Sequence, residues 1–203
     1  MLYYLGRFLF RMLFRVLGHW QVSGREHCPP TGPVILAPNH TSYLDPPAAG
    51  SGLARPVHFM AKQELFRIPI LGWVLPRVHA FPVRRGAADR AALRRAEELL
   101  ARGEIVVIFP EGTRSPDGQL QQPELGIAFV ALRTKAPVLP CALTGTNRML
   151  PGDSPLIRPA KVTIRYGQPL TFPELYGKPL TRPMLQECAD RVMAALRKLG
   201  QDT

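Results

Sequence analysis

The stretch Glu-Ile-Val-Val-Ile-Phe-Pro-Glu-Gly-Thr-Arg-Ser occupies residues 104–115 and shows how the whole chain is organised. Its first half, residues 104–109, is an apolar run rich in β-branched side chains, which predicts a buried strand. Its second half is polar, and Gly112 permits a sharp backbone turn directly after the strand. A strand that is apolar on both faces is typical of a parallel sheet covered by helices, so this stretch indicates an α/β fold.

Apolar runs of the same kind recur on both sides of this stretch. They predict further strands at residues 34–37, 57–60, 79–83, 138–143 and 161–166. Helical spacing of apolar residues predicts helices at 88–102, 126–134 and 183–199. This alternation of strands with helices predicts a mostly parallel central sheet flanked by helices.

Two polar residues that suit acid–base chemistry follow the strand at 34–37. His40 and Asp45 stand five residues apart, a spacing that separates two side chains by about 140° on a helix. They can still meet if His40 lies in the turn after the strand and Asp45 begins the next helix, a placement that Pro46 favours. An aspartate bonded to one imidazole nitrogen leaves the other free to accept a proton from a hydroxyl. A simple helix cap is the alternative role for Asp45.

Two other strand ends carry groups that suit a phosphate. Thr113 offers a hydroxyl, and Arg114 can hold a phosphate through two parallel hydrogen bonds. Arg84 and Arg85 follow the strand at 79–83, where a solvated arginine pair is the alternative interpretation. The chain contains no Gly-x-Ser-x-Gly sequence, which favours direct attack by a substrate hydroxyl over a covalent acyl-enzyme.

The first 17 residues form an apolar segment with an arginine at every fourth position, namely Arg7, Arg11 and Arg15. On a helix these arginines drift by only about 40° per step, so they form one cationic stripe beside a wide apolar face. The segment is shorter than the ~20 residues of a spanning helix. It also differs from a signal peptide, which groups its positive charge ahead of an uninterrupted apolar stretch and ends in small residues. We interpret it as an amphipathic helix in the membrane interface, with arginines reaching anionic headgroups. The alternative is a helix packed on the domain's own core.

The charge balance limits the partners that the chain can have. It holds 26 Lys and Arg residues against 15 Asp and Glu, a net charge of +11, which favours nucleic acid, an anionic membrane or a phosphorylated substrate. The cations do not concentrate with aromatic residues in a nucleic-acid-binding module, which disfavours the first of these. Cys28, Cys141 and Cys188 lack the spacing of zinc ligands or of a disulfide framework, so we expect no metal site and a reducing compartment.

At the polar strand ends the sequence resembles the glycerolipid acyltransferases, and most closely the 1-acyl-sn-glycerol-3-phosphate acyltransferases. Four blocks carry the resemblance: Asn-His-x-Ser-x-x-Asp at residues 39–45, a strand ending in Arg85, Phe-Pro-Glu-Gly-Thr-Arg-Ser at 109–115, and the apolar strand at 138–143. They occur in the family's order and spread over about half of the chain. Two positions depart from the family's pattern: Arg84 stands where members often carry an acid, and Glu124 where many carry a lysine.

The resemblance implies that His40 is a general base oriented by Asp45. It implies that the phosphate end of the acceptor is bound by Arg85, Glu111, Gly112, Thr113 and Arg114. Within this set Glu111, itself anionic, would orient Arg114 or a substrate hydroxyl. His40 would deprotonate the sn-2 hydroxyl of lysophosphatidic acid as it attacks the thioester of acyl-CoA or acyl-carrier protein, giving phosphatidic acid for phospholipid synthesis. Backbone amides near His40 or the Gly112 turn would stabilise the oxyanion. The resemblance implies neither a metal nor a tightly bound cofactor.

We therefore expect a membrane-interface helix in residues 1–23 and an acyltransferase domain over residues 24–203, at the cytoplasmic face of a membrane. The expected partners are an anionic membrane surface, lysophosphatidic acid, and acyl-CoA or acyl-carrier protein. Residues 65–75, Leu71 and Trp73 among them, are expected to line the acyl channel. Alternative acceptors are glycerol-3-phosphate and another lysophospholipid. Alternatives of other classes are a nucleic-acid-binding protein and an inactive membrane-bound scaffold.

Overall fold

The computed structural model describes residues 1–84, 89–115, 118–152 and 154–201. Over these residues the chain forms one sheet of seven strands: β1 (Gln21–Ser23), β2 (Val34–Pro38), β3 (Val57–Lys62), β4 (Ala80–Val83), β5 (Ile105–Val107), β6 (Val138–Thr144) and β7 (Thr163–Tyr166). Its helices are α1 (Leu2–Val16), α2 (Asp45–Gly52), α3 (Pro69–Arg77), α4 (Arg90–Ala101), α5 (Gly126–Thr134), α6 (Thr146–Met149) and α7 (Arg182–Gln201). Short 3₁₀ turns lie at Arg25–His27, Gln63–Arg67 and Pro173–Leu175.

The strands follow the order β1-β7-β6-β2-β5-β3-β4 across the sheet. All neighbouring pairs are parallel except β6 and β7, which run antiparallel. The predicted α/β fold with a mostly parallel sheet is therefore confirmed. The strand β1 was not predicted, because three residues are too few to show a periodic pattern.

Helices cover both faces of the sheet. Ile35 and Ala37 of β2 point to the face covered by α4, α5 and α7, whereas Val34 and Leu36 point to the face covered by α1 and α2. Both faces of β2 are fully buried, which explains the absence of polar alternation in its sequence. The helix predicted at 88–102 is observed as α4, begun by Asp89, whose carboxylate accepts from the backbone N–H groups of Ala91 and Ala92.

The N-terminal helix α1 packs through one face on α2 and the sheet. Tyr3 and Phe14 are buried in this contact. Arg7 donates to the carbonyl oxygen of Ala54 at 2.8 Å, and Arg11 donates to those of Ser51 and Leu53 at 2.8 and 3.0 Å. The last carbonyls of a helix lack partners within it and carry partial negative charge, so the end of α2 attracts these guanidinium groups.

Two of the three arginines of the predicted stripe therefore bind the protein itself, contrary to the expectation that they reach lipid headgroups. The helix consequently turns its other, apolar face away from the domain. None of the helices in the described part of the chain has the length and hydropathy needed to cross a membrane.

Candidate active site

The first and third sequence blocks meet at the carboxyl edge of the sheet, because β2 and β5 are parallel neighbours. Two hydrogen bonds join the loops that follow these strands. The backbone N–H of Ser115 donates to the carbonyl oxygen of His40 at 2.8 Å, and the backbone N–H of His40 donates to Oε1 of Glu111 at 2.8 Å. Residues 71 positions apart in sequence therefore form one corner.

His40 and Asp45 form a buried pair in this corner. His40 lies in the turn after β2 and Asp45 is the first residue of α2, the placement that the sequence predicted. Nδ1 of His40 and Oδ2 of Asp45 are 3.0 Å apart, and the two side chains are 6% and 0% exposed. An aspartate that accepts from Nδ1–H leaves Nε2 without its proton, so Nε2 is the nitrogen able to act as a base.

Asp45 also orders the loop that carries His40. Its Oδ2 accepts from the backbone N–H groups of Thr41 and Ser42, both at 2.6 Å. Leu44 is the N-cap of α2, so the helix-capping alternative for Asp45 is not what the structure shows. Its other oxygen, Oδ1, is buried and has no hydrogen-bond partner within the described residues.

Two further contacts from outside restrain the loop at residues 39–45, which we call the catalytic loop because it carries the predicted base. The His40 ring stacks on Phe109 with centroids 4.1 Å apart, which restrains the plane of the imidazole. The Asn39 side chain exchanges two hydrogen bonds with the backbone of Leu143, at 3.0 and 2.7 Å. The fourth sequence block, which lies within β6, therefore supports the first one.

Glu111 holds loops together at this corner. It is 3% exposed, and its Oε2 accepts from the backbone N–H of Gln121 at 3.1 Å while Oε1 binds the His40 backbone. Burial raises the pKa of Glu111, and these two backbone hydrogen bonds oppose the rise. The carboxylate therefore faces the protein backbone, which favours a positioning role over contact with the acceptor.

Gly112 and Thr113 complete the turn after β5. Gly112 has φ +67°, and a Cβ at this position would lie 2.7 Å from Cγ of Glu124. The turn and the side chain of Glu124 therefore both require glycine here. Thr113, in contrast, is exposed.

Arg114 is held by a residue that the sequence did not indicate. Its Nη2 donates to the hydroxyl of Tyr43 at 3.0 Å, and its guanidinium carbon lies 3.7 Å from the centroid of the Tyr43 ring. Tyr43 belongs to the loop between His40 and Asp45, so this contact places the guanidinium beside the catalytic loop. The aromatic residue at position 43, inside the first block, was the one signal that the sequence offered.

The second block lies farther along the same edge of the sheet. Arg85 lies outside the described residues. Its neighbour Arg84 directly follows β4 and donates its backbone N–H to Asp89 at 2.8 Å. β3 separates β4 from β5, which places their ends roughly 10 Å apart. Lys62, which belongs to none of the four sequence blocks, ends β3 between them and adds a cation to this edge.

Four of the backbone amides near His40 and in the Gly112 turn donate within the protein. Those of His40, Thr41 and Ser42 donate to Glu111 or Asp45. Gly112 donates to the carbonyl oxygen of Phe109 at 3.1 Å. An oxyanion in this site would therefore need a donor other than these four amides.

The acyl channel expected along residues 65–75 stays a prediction. Trp73 lines an open cavity of about 410 Å³ between α1 and α3, together with Met1, Leu2, Leu5 and Arg77. Leu71 is not among the residues that line this cavity. Both Leu71 and Trp73 are exposed.

Sequence comparisons relate this chain to known acyltransferases. A family model described as "Acyltransferase" matches residues 19–144. A 1-acyl-sn-glycerol-3-phosphate acyltransferase of Bacillus subtilis is 31% identical over 94% of this chain and 95% of its own length. A chloroplastic 1-acyl-sn-glycerol-3-phosphate acyltransferase of Arabidopsis thaliana is 36% identical, over 66% of this chain and 38% of its own length.

A solved structure extends the likeness to the fold. The crystal structure of the 1-acyl-sn-glycerophosphate (LPA) acyltransferase, PlsC, from Thermotoga maritima superposes with a TM-score of 0.77 at 30% sequence identity. The match covers 98% of this chain and 77% of that protein.

Proposed function

This chain belongs to the acyltransferase family, and from that membership we propose that it is a lysophosphatidic acid acyltransferase. It transfers an acyl group from acyl-CoA or acyl-carrier protein to the sn-2 hydroxyl of lysophosphatidic acid and releases phosphatidic acid. Similarity to the Bacillus enzyme over 94% of the chain supports this acceptor. The observation that carries the chemistry is the buried His40–Asp45 pair, which leaves Nε2 of the imidazole available to a substrate.

The reaction proceeds by direct transfer between the two substrates. Nε2 of His40 takes the proton from the hydroxyl of lysophosphatidic acid. At the same time the oxygen of that hydroxyl bonds to the carbonyl carbon of the thioester. Asp45 remains anionic and stabilises the imidazolium that forms. The tetrahedral intermediate then collapses, the carbon–sulfur bond breaks, and the imidazolium returns its proton to the departing thiolate. The hydroxyl becomes an ester, the donor becomes a free thiol, and His40 is restored.

The acceptor phosphate binds at the carboxyl edge of the sheet. Arg114, held on Tyr43, presents a guanidinium there, and a planar guanidinium suits bidentate binding of phosphate. Thr113 adds an exposed hydroxyl beside it, and Arg85 is assigned to the same site by the family resemblance. Glu111 and Gly112 act indirectly, because one binds the His40 backbone and the other forms the turn.

We also infer that residues 1–23 hold residues 24–203 at a membrane surface, on its cytoplasmic face. Apart from Arg15, the exposed side chains of α1 are apolar: Tyr4, Leu5, Phe8, Leu9, Met12 and Val16. A helix with this pattern lies in the plane of the interface, with its apolar side among the acyl chains. Because a lysophospholipid also resides there, the anchor keeps the enzyme beside its acceptor.

Thiol release from acyl-CoA tests the proposal directly. Detergent-solubilised protein is assayed with lysophosphatidic acid, glycerol-3-phosphate and lysophosphatidylcholine, and His40→Ala is the control. We expect rapid release with lysophosphatidic acid only, and a loss of about 10²- to 10⁴-fold in His40→Ala. Release driven only by glycerol-3-phosphate or lysophosphatidylcholine would overturn the acceptor. Equal rates in the variant and the parent protein would overturn the role of His40.

A further inference from the structure

Exposed apolar side chains are concentrated on two helices. Fourteen large apolar side chains are exposed among the described residues, and eleven of them lie on α1 and α3 or directly precede these helices. They are Met1, Tyr4, Leu5, Phe8, Leu9, Met12 and Val16 at α1, and Ile68, Ile70, Leu71 and Trp73 at α3. Isolated exposed apolar residues are normal, but an apolar patch of this size marks a contact surface.

The helix α3 is unusual because the protein itself does little to stabilise it. None of its nine residues, all of which are described, is buried. Arg77 is its only charged residue, and Pro76 interrupts its last turn. An isolated helix shorter than about 12 residues is marginal in water, since most helical stability comes from packing of the apolar side. An apolar medium outside the protein would supply that packing.

The exposed sides of α1 and α3 form one continuous surface, which we call the apolar face. Leu5 of α1 and Trp73 of α3 line the same open cavity. A Cβ on Gly6 of α1 would lie 4.0 Å from the side chain of Val78, the residue after α3. The two helices are therefore neighbours, and whatever covers α1 also reaches α3.

The charges around the apolar face favour anionic lipid as its partner. Arg15, Arg67 and Arg77 are exposed on or beside the two helices. Glu64 is the one exposed acidic residue in the described segment that leads into α3. The Arg77 guanidinium lies 4.2 Å from the Trp73 ring centroid, and tryptophan and arginine are typical of the headgroup boundary. Contact with a second copy of the chain through this face would instead bring arginines close to arginines, and these like charges repel each other.

We propose that α3 is a second membrane-inserting element, which enters the same anionic leaflet as α1. This inference rests on the proposed membrane contact of α1 and extends it to residues 68–77. The chain passes from Lys62, at the carboxyl end of β3, through a 3₁₀ turn into α3. Contact through α3 therefore begins at the edge of the sheet that carries His40, where the acceptor arrives.

The two tryptophans of the chain provide a direct test. Trp73 is 56% exposed on α3, whereas Trp20 stacks on the buried Phe14 with ring centroids 5.9 Å apart. Trp20→Phe leaves Trp73 as the only tryptophan, and Trp73→Phe is the matched control. With phosphatidylglycerol–phosphatidylcholine vesicles that carry brominated acyl chains, we expect a blue shift and strong quenching of Trp73 and weak quenching of Trp20. Binding of the vesicles without quenching of Trp73 would overturn the role of α3.

A negative charge placed on α3 tests whether this helix contributes to vesicle binding. Ile70→Glu should weaken binding to the same vesicles by at least tenfold, whereas Ala91→Glu, on the exposed side of α4, should leave it unchanged. Phe8→Glu on α1 separates this inference from the one beneath it. If Phe8→Glu abolishes vesicle binding and Ile70→Glu does not weaken it, only the role of α3 fails. If neither variant weakens vesicle binding, the membrane anchor of the proposed function fails as well.

A dimer in the absence of lipid, dissociated by Ile70→Glu, would assign the apolar face to a second copy of the chain.

Discussion

The loop around His40 and the apolar face of α1 and α3 differ in what holds each in place. The catalytic loop is buried, and its polar groups bind one another: Asp45 accepts from His40, Thr41 and Ser42, and Glu111 binds the His40 backbone. The apolar face is exposed, and its side chains point away from the protein.

This difference separates two sources of order. The catalytic corner is ordered by hydrogen bonds within the chain, which are strong in a buried site and costly to break. The apolar face is ordered by a medium that the chain does not contain. Substitutions in the corner should therefore alter the chemical step in detergent, and substitutions on the face should alter binding to lipid without altering the fold.

Asp45→Asn should have the largest effect on the chemical step. An amide in place of the carboxylate removes the charge that stabilises the imidazolium, and three donors then face a group that itself donates. We expect the rate of thiol release to fall by about 10²- to 10⁴-fold. Asp190→Asn, on the exposed side of α7, is the control and should keep the parent rate. A rate for Asp45→Asn within threefold of the parent would contradict the mechanism.

Two phenylalanines of α1 compare the helix's inner and outer faces directly. Phe14 is 0% exposed, so Phe14→Ala should destabilise the fold by about 3 to 5 kcal/mol. Phe8 is 59% exposed, so Phe8→Glu should leave the thermal melting temperature unchanged in water and weaken binding to anionic vesicles at least tenfold. Removing all of residues 1–17 would mix both effects, because it also exposes the core beneath Phe14. A melting temperature lowered equally by both substitutions would contradict the assignment of the two faces.

Much of the catalytic corner could be predicted from the sequence, because its chemistry fixes residue types at short spacing. A strand, a turn and a helix start suffice to bring His40 to Asp45, and Pro46 marks that helix start. The contact between Tyr43 and Arg114 joins residues 71 positions apart, so no local pattern predicts it. The same holds for the hydrogen bond from the His40 backbone to Glu111.

The sequence could predict that α1 has two faces but not which one would meet the protein. Arginines and apolar residues alternate with helical spacing, and either side could face outward. The carbonyls at the end of α2 decide the matter, because they bind Arg7 and Arg11. They lie about 40 residues away in sequence, so the pattern within α1 contains no information about them.

Tyr43→Ala should have a smaller effect than the loss of Asp45, and on a different kinetic constant. The exposed ring and hydroxyl hold Arg114 beside the catalytic loop, and an exposed cation–π pair contributes about 0.5 to 1 kcal/mol. We expect KM for lysophosphatidic acid to rise severalfold with kcat little changed, and Tyr43→Phe to retain most of the affinity.

The effect of Tyr43 should depend on Arg114. In an Arg114→Ala background, Tyr43→Ala should add little to KM, since the two residues act through one contact. Independent effects in the double variant would show that Tyr43 acts by another route. An unchanged KM in Arg114→Ala alone would instead remove Arg114 from the phosphate site.

The smallest expected effect concerns the rings that hold the first turn of α1. Tyr3 stacks on His79, and His79 stacks on His58, with centroids 4.5 and 4.8 Å apart. Burial lowers the pKa of both histidines, and Glu104 opposes this shift. Nearby positive charges lower each pKa further: His79 and Arg95 act on His58, and the N-terminal amine acts on His79.

The direction of this pH dependence follows from proton binding. In the unfolded chain both histidines bind protons near their ordinary pKa of about 6.5, whereas the folded state keeps them neutral to lower pH. Stability should therefore be constant above that pH and fall as the pH decreases below it. Melting temperatures measured between pH 7.5 and 5.5 should show this fall, and His58→Phe, which keeps a ring in the stack, should reduce it. An equal fall in both proteins would mean that another group, and not the docking of the inner face of α1, sets the acid sensitivity.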